Sequence, residues 1–112
     1  MGTIDGYLAG LDATDAAVIA HTYDVALEVA PEAVQGFGYG MPALVYRGKS
    51  LLSVMRAKRH FGMYPFSPTA IVAVLPLLDG VDHAKGTIRF TEPLPDDTVR
   101  ALVTARVAEI DG

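Results

Sequence analysis

Cysteine is missing from this chain of 112 residues. The absence excludes disulfides, thiolate catalysis, and zinc or iron–sulfur sites built on sulfur ligands. Long apolar runs are also missing, because the longest, residues 70–78, is interrupted by Pro76 and is too short to cross a bilayer. The first residues lack the basic and then apolar pattern of a secretory signal. We therefore expect a cytoplasmic protein.

Acidic residues are missing from one long stretch. Residues 36–66 contain no Asp or Glu, although the whole chain has 13. Apolar and aromatic segments alternate there with glycine and basic residues, as in Arg47-Gly48-Lys49 and Lys58-Arg59. This pattern predicts short antiparallel strands joined by tight turns. A basic, aromatic sheet inside an acidic protein is the feature that a function has to explain.

Length and composition predict a single globular domain over residues 1–112. Hydrophobic residues make up 51% of the chain and charged residues 20%, which is typical of a folded protein. The formal net charge is -4. That charge disfavours binding to nucleic acid or to an anionic membrane surface.

Helix signals lie near both ends of the chain. Thr3 can cap a short first helix, and Asp12 or Thr14 can open a second one. The second helix should stop before Pro31, since a residue that precedes proline is pushed out of helical geometry. A last helix should follow Pro95, with acidic residues in its first turn.

The segment after Ser67-Pro68 can be read in two ways. Its Ile- and Val-rich sequence would suit a strand, but serine followed by proline is a helix start. We favour a helix that stops near Leu75, because Pro76 removes a backbone donor. Such a helix is apolar nearly all round, so we predict a homodimer that uses part of it. The candidate dimer residues are Ile71, Val72, Val74 and Leu75.

The order of these elements predicts the fold class. Strands are expected at residues 36–39, 43–46, 51–58, 60–64 and 85–90. Helices before, between and after them do not alternate regularly with the strands. We therefore predict an α+β fold, in which helices pack on one face of a mainly antiparallel sheet.

No catalytic constellation is visible. The three histidines, His21, His60 and His83, lack the spacing of a metal-binding pair. No serine sits in a nucleophile elbow, and no phosphate-binding loop is present. We expect a protein that is not an enzyme.

Basic side chains concentrate in or beside the predicted strands. These are seven of the nine Lys and Arg residues: Arg47, Lys49, Arg56, Lys58, Arg59, Lys85 and Arg89. One interpretation is a solvated outer face with extended lysines. The other is a site for a small anion or an acidic partner.

The anion site can be specified further. Convergent ammonium groups repel unless an anion sits between them, and tyrosine hydroxyls would add hydrogen bonds. Glycines 36–40 would let a ligand approach the backbone. We therefore predict a shallow cleft that holds phosphate, sulfate or carboxylate. Its candidate residues are Tyr39, Met41, Lys49, Lys58, His60, Tyr64 and Lys85.

A set of short sequence words runs along nearly the whole chain. The words are Ile4-Asp5-Gly6-Tyr7-Leu8, Ala30-Pro31-Glu32-Ala33, Tyr39-Gly40-Met41-Pro42-Ala43, Gly48-Lys49, Lys58-Arg59-His60, Gly62-Met63-Tyr64-Pro65, Lys85-Gly86-Thr87-Ile88-Arg89-Phe90 and Pro93-Leu94-Pro95. In these words the chain resembles the YdhG-like domain of unknown function, a family often labelled intracellular iron chaperone, frataxin-like. The resemblance implies a compact two-layer α+β domain and, for some members, delivery of iron.

Iron would require oxygen-rich ligands in a chain without cysteine. Two groups are candidates for weak iron binding. One is Glu28 with Glu32, and the other is Asp79 with Asp82 near His83.

Overall fold

A computed structural model describes residues 2–112. These residues form four α-helices and six strands, with a short 3₁₀ turn at Leu75–Leu77. In chain order they are α1 (Thr3–Ala9), α2 (Ala13–Val29), β1 (Val34–Gly38), β2 (Met41–Tyr46), β3 (Lys49–Arg56), β4 (Phe61–Tyr64), α3 (Pro68–Ala73), β5 (Asp82–His83), β6 (Ile88–Phe90) and α4 (Asp96–Asp111).

The six strands form one antiparallel sheet in the order β1-β2-β3-β4-β6-β5. Helices α1, α2 and α4 contact it, and α3 packs against α4. The predicted α+β class with an antiparallel sheet is confirmed. The last predicted strand is shorter than expected, because Lys85 and Gly86 form the turn of the β5–β6 hairpin.

Two of the hairpin turns owe their shape to an X-Gly pair. Tyr39 and Gly40 have φ angles of 49° and 78°, and Arg47 and Gly48 have φ angles of 50° and 79°. Two consecutive left-handed residues match the twist of the flanking strands, and glycine adopts that geometry without steric cost. The predicted turn at Arg47-Gly48 is confirmed.

A β-bulge breaks the alternation of β3. Leu44 pairs with Leu52 and Val45 pairs with Ser50, so Leu51 is the extra residue. Leu51 and Leu52 are both fully buried. A bulge lets two consecutive side chains face the same side and bends the strand. It explains why simple alternation in the sequence does not identify the buried face of β3.

Beyond the bulge, β2 no longer pairs with β3. The hydroxyls of two tyrosines replace it as hydrogen-bond acceptors for the backbone of β3. Strand pairing ends at Leu44 and Leu52, which leaves later backbone N–H groups of β3 without a strand partner. The Val54 N–H donates to the Tyr23 hydroxyl at 2.7 Å, and the Arg56 N–H donates to the Tyr7 hydroxyl at 2.8 Å. Burial raises the pKa of Tyr23 to about 12. The helices thus complete the hydrogen bonding of the sheet.

The helix ends follow their sequence signals in most cases. Asp12 accepts a hydrogen bond from the Asp15 N–H at 2.9 Å and so caps α2. Ser67 accepts one from the Ala70 N–H at 3.1 Å and caps α3. Thr3 is not a cap, because α1 is preceded by Gly2 and the Thr3 hydroxyl donates to the carbonyl of Gly36 instead.

The core lies between the sheet and the helices. Its fully buried members include Ile19, Leu44, Leu51, Leu52, Met63, Ile88 and Leu102. Helix α3 contributes Ile71 and Val74, each 3% exposed. Of the four residues named for a homodimer, only Val72 and Leu75 remain available, at 62% and 41% exposure.

Within residues 2–112, no helix has the length and hydropathy needed to cross a membrane.

Candidate functional site

An aromatic cleft of about 220 Å³ lies where three connecting segments meet. They are the β1–β2 turn, the junction between β4 and α3, and the β5–β6 turn. The lining residues are Tyr39, Met41, Tyr64, Phe66, Ser67, Pro68 and Gly86. The structure thus brings together Tyr39, Met41 and Tyr64, three of the residues that the sequence suggested.

Close packing at Gly38 brings the β1–β2 turn to the cleft. A Cβ atom on Gly38 would lie 2.6 Å from the Phe66 ring and 2.7 Å from the Ser50 Oγ. Where β2 leaves β3, the Ser53 hydroxyl donates to the Pro42 carbonyl at 2.7 Å. These contacts hold the hairpin tip against the Phe66 ring, and only glycine fits at position 38 without a shift of its neighbours.

Two aromatic rings at the cleft are carried by unusual backbone. Tyr39 has a φ of 49° within its turn, and Phe66 has a φ of 59° outside any hairpin turn. A bulky residue such as Phe66 in this region costs on the order of 1–3 kcal/mol. The two ring centroids are 5.5 Å apart, and the Tyr39 side chain is 90% exposed. The contact holds an otherwise exposed ring beside the cleft.

Tyr64 forms another wall. Its ring lies over Gly62, where an added Cβ would be 2.8 Å from the Tyr64 hydroxyl oxygen. Among the side-chain hydrogen bonds of residues 2–112, none involves the hydroxyl of Tyr64 or of Tyr39. The Tyr39 hydroxyl is therefore free to donate to a ligand in the cleft. The Tyr64 hydroxyl lies over Gly62, which does not line the cleft.

The basic residues do not converge at this cleft. Lys58 lies in the β3–β4 turn next to the pair Arg56 and Phe61, whereas Lys85 lies in the β5–β6 turn beyond the pair Met63 and Ile88. At about 3.3 Å per residue, the two lysines are on the order of 20 Å apart along β4. Lys85 adjoins the lining residue Gly86, so it is the lysine nearest the cleft in sequence.

Lys49 and His60 also lie elsewhere. Lys49 is in the β2–β3 hairpin, where the neighbouring Arg47 forms an ion pair with Asp111 at 3.2 Å. His60 lines a second depression of about 400 Å³, together with Arg89 and Asp82. Arg89 already pairs with Asp82 at 3.4 Å there. The second depression is larger, but its Arg89 is already paired and Glu92 adds a further carboxylate to its lining, so it does not favour an anion.

Only some of the basic residues in or beside the strands form ion pairs. Arg47, Arg56 and Arg89 each form an ion pair with an Asp. Arg56 also stacks over the Phe61 ring, 4.7 Å from its centroid. Within residues 2–112, no ion pair involves a lysine. Three of the seven basic residues are thus neutralised inside the chain, whereas Lys49, Lys58, Arg59 and Lys85 form no ion pair within residues 2–112.

The carboxylates suggested for iron are separate and partly engaged. Glu28 pairs with Arg100 at 3.1 Å, and Asp82 pairs with Arg89. The His83 Nδ1 lies 2.9 Å from the Val81 carbonyl oxygen. Residues 2–112 contain no group of three or more His, Asp or Glu side chains that could hold a metal ion.

Four lining residues were not predicted from the sequence: Phe66, Ser67, Pro68 and Gly86. The helix start at Ser67-Pro68 follows Tyr64 closely in the sequence. This signal could have predicted that the start of α3 lies beside Tyr64 in the cleft. The left-handed conformation of Phe66 has no sequence signal, because phenylalanine seldom adopts it.

Comparisons with known proteins add evidence on the fold. No model of a known protein family matches the chain, and no curated protein matches it. The crystal structure of a DUF1801-family protein, YdhG from Bacillus subtilis, is similar, with a TM-score of 0.83. The likeness covers 97% of this chain and 91% of that chain at 15% sequence identity. At this identity the likeness establishes the fold, and the chain therefore has the α+β fold of that protein.

Proposed function

We propose that the protein is a YdhG-like domain that acts as a binding module, not as an enzyme, and takes a small ligand in the aromatic cleft. The family assignment is supported by the sequence words and by the likeness of the whole fold. The observation that carries the binding function is the convergence of Tyr39, Met41 and Tyr64, from separate segments, around one cleft.

The cleft suits a ligand with a small apolar body. Its volume of about 220 Å³ is below the usual range of roughly 300–1,000 Å³ for drug-sized ligands. A single ring or a short branched chain would fill it. Tyr39 and Phe66 offer ring faces for stacking, and Met41 offers a polarisable thioether.

The polar groups around the cleft favour an acidic head group. The free hydroxyl of Tyr39 can donate a hydrogen bond to a carboxylate. Lys85 adjoins the lining residue Gly86, and its exposed ammonium adds positive charge at this end of the sheet. We therefore propose a small carboxylate that carries one ring or a short alkyl chain.

Amide chemical shifts measured with benzoate, benzyl alcohol and phosphate would test this proposal. Benzoate should perturb the amides of Tyr39, Phe66 and Gly86 most strongly and raise the melting temperature. Benzyl alcohol has the ring without the charge, and phosphate has charge without the ring. Each should act more weakly than benzoate, because each satisfies half of the site.

Matched variants separate the cleft from general salt effects. Lys85→Ala and Tyr39→Phe should weaken benzoate binding several-fold, whereas Lys58→Ala should leave it unchanged, since Lys58 lies at the other end of β4. Equal binding by Lys85→Ala, Tyr39→Phe and wild type would contradict the proposal. Shifts confined to residues outside the cleft would contradict it as well.

Delivery of iron is a second function that the family resemblance implies. Its candidate ligands remain Glu28 with Glu32, and Asp79 with Asp82 and His83. The ion pairs of Glu28 and Asp82 would have to open before either could bind a metal. Anaerobic calorimetry with ferrous iron would decide, with Asp79→Ala and Asp82→Ala as controls. Heat no greater than dilution would rule out this function.

A further inference from the structure

The two outer strands of the sheet are protected to different degrees. β5 has two residues, Asp82 and His83, and both are polar and exposed. β1 has five residues with no charge and no proline, and its pairing with β2 has no bulge. Natural proteins shield outer strands with charge, proline, bulges or short length. β5 has such protection and β1 has none.

The backbone groups of β1 that face outward can be identified from its register. The turn at Tyr39-Gly40 places a hydrogen-bonded pair at Gly38 and Met41, and bonded pairs then alternate along the strands. Phe37 therefore lies at a non-bonded position. Its partner Pro42 agrees with this assignment, since proline has no N–H to donate. The N–H and C=O groups of Gln35 and Phe37 consequently point away from β2.

Side chains near this edge keep it ordered and apolar. The Thr3 hydroxyl donates to the Gly36 carbonyl, and the Asp5 N–H donates to the Gln35 side chain at 3.0 Å. These bonds anchor β1 to α1. Val34 and Phe37 are 62% and 63% exposed. The edge is thus an ordered, apolar strand with free donors and acceptors.

We propose that β1 pairs antiparallel with β1 of a second copy of this chain, about a twofold axis at Gly36. In this register Gln35 lies opposite Phe37 of the other copy, and the reverse pair follows by symmetry. Both pairs use the outward groups, so four backbone hydrogen bonds would join two six-stranded sheets. A second copy fits because the outward pattern is self-complementary and the strand carries no charge of its own.

A mixed disulfide experiment tests the register. The chain has no cysteine, so single cysteines can be introduced without competing thiols. Opposite residues in a bonded pair have Cα atoms about 5.5 Å apart, which suits a disulfide, whereas the equivalent diagonal positions are roughly 7–8 Å apart. An equimolar mixture of Gln35→Cys and Phe37→Cys chains should therefore cross-link severalfold faster than either variant alone. Equal rates, or no cross-link in any sample, would overturn the proposal.

Sedimentation over a hundredfold range of concentration tests the association itself. Five paired residues form a small interface, so dimers should dominate only at high concentration, where the mass rises above the 11.9 kDa of one chain. Phe37→Pro should abolish this rise, because it removes an outward N–H that β2 does not use. Phe37→Lys provides a second variant if the proline impairs folding, which circular dichroism would reveal.

Val72→Lys is the matched control on the exposed face of α3. It should leave the dimer intact if β1 forms the interface. Loss of the dimer in Val72→Lys but not in the Phe37 variants would assign the interface to α3 and overturn the proposal. A wild-type chain that remains a monomer at every concentration would overturn it too.

Discussion

Tyrosines at the helix-covered face of the sheet and tyrosines at the aromatic cleft differ in the hydrogen bonding of their hydroxyls. On the face that packs against the helices, the hydroxyls of Tyr23 and Tyr7 each accept a hydrogen bond from a backbone N–H of β3. At the aromatic cleft, the Tyr39 and Tyr64 hydroxyls form no side-chain hydrogen bond within residues 2–112. The first pair completes the hydrogen bonding of β3, whereas the hydroxyls of the second pair have no structural partner in the described part of the chain.

The contrast follows from where β3 lacks a partner strand. The hydroxyls of Tyr7 and Tyr23 lie at that place, so they act as acceptors for the backbone of β3. A buried N–H without a partner costs about 1–3 kcal/mol, so the end of β2–β3 pairing creates a strict requirement for an acceptor. The cleft imposes no such requirement. Stability and ligand binding should therefore respond to different tyrosines.

A change to alkaline pH should cause the largest decrease in the free energy of unfolding. Burial raises the pKa of Tyr23 to about 12, whereas an unfolded tyrosine ionises near 10. Below pH 10 both states keep the proton. Between pH 10 and 12 the unfolded chain loses it first, so the free energy of unfolding should fall by roughly 3 kcal/mol at the upper limit.

Urea unfolding at pH 9 and pH 11.5, followed by circular dichroism, would measure this loss. Tyr23→Phe is the control, because it removes the group that titrates. A variant that loses as much stability as wild type over the same range would assign the effect to other groups.

Tyr23→Phe itself should destabilise the fold by about 2 kcal/mol at neutral pH, because the Val54 N–H loses its acceptor inside the core. Tyr64→Phe should change the free energy of unfolding by less than about 0.5 kcal/mol, as expected for a hydroxyl with no structural partner. Melting temperatures of the two variants would test the difference between the faces. Equal decreases in melting temperature for the two variants would contradict this prediction.

Gly38→Ala should cost about 1.5 kcal/mol, since the new Cβ would meet the Phe66 ring and the Ser50 Oγ below 3.0 Å. This change would show that the cleft side also contains one tightly packed point. Gly6→Ala in α1 is the control, with no atom within 4 Å of its Cβ, and it should be neutral or stabilising. Thermal unfolding of both variants would decide.

Substitution of two arginines should give the smallest changes in the free energy of unfolding. Arg56 pairs with Asp15 and stacks on Phe61, and both charged side chains are largely buried, at 26% and 23% exposure. Arg56→Met should cost about 1 kcal/mol. Arg89→Met breaks a more exposed pair and should cost less than about 0.5 kcal/mol. Denaturant midpoints that rank the variants in the reverse order would contradict this prediction.

Local signals with one structural solution were read correctly from the sequence. Arg47-Gly48 forms its turn, Ser67 caps its helix, and α4 begins after Pro95. In each case a side chain or a φ preference acts on its nearest neighbours. The α+β class followed because it depends on the order of such elements.

Features that depend on the register between strands could not be predicted from the sequence. The bulge at Leu51 and Leu52 occurs in a continuous apolar run, so alternation gave no sign of it. Lys58 and Lys85 both lie in turns, but only the pairing of β4 with its neighbours shows that these turns are at opposite ends. The cleft was therefore found through its aromatic residues and not through its predicted charges.

The replacement of strand pairing by tyrosine hydroxyls also affects the local dynamics of β3. In most sheets an amide exchanges its hydrogen with solvent when the neighbouring strand separates. The amides of Val54 and Arg56 have their acceptors on α2 and α1 instead. Their deuterium uptake would report how often those helices lift from the sheet, while the amides between β2 and β3 report separation of the strands.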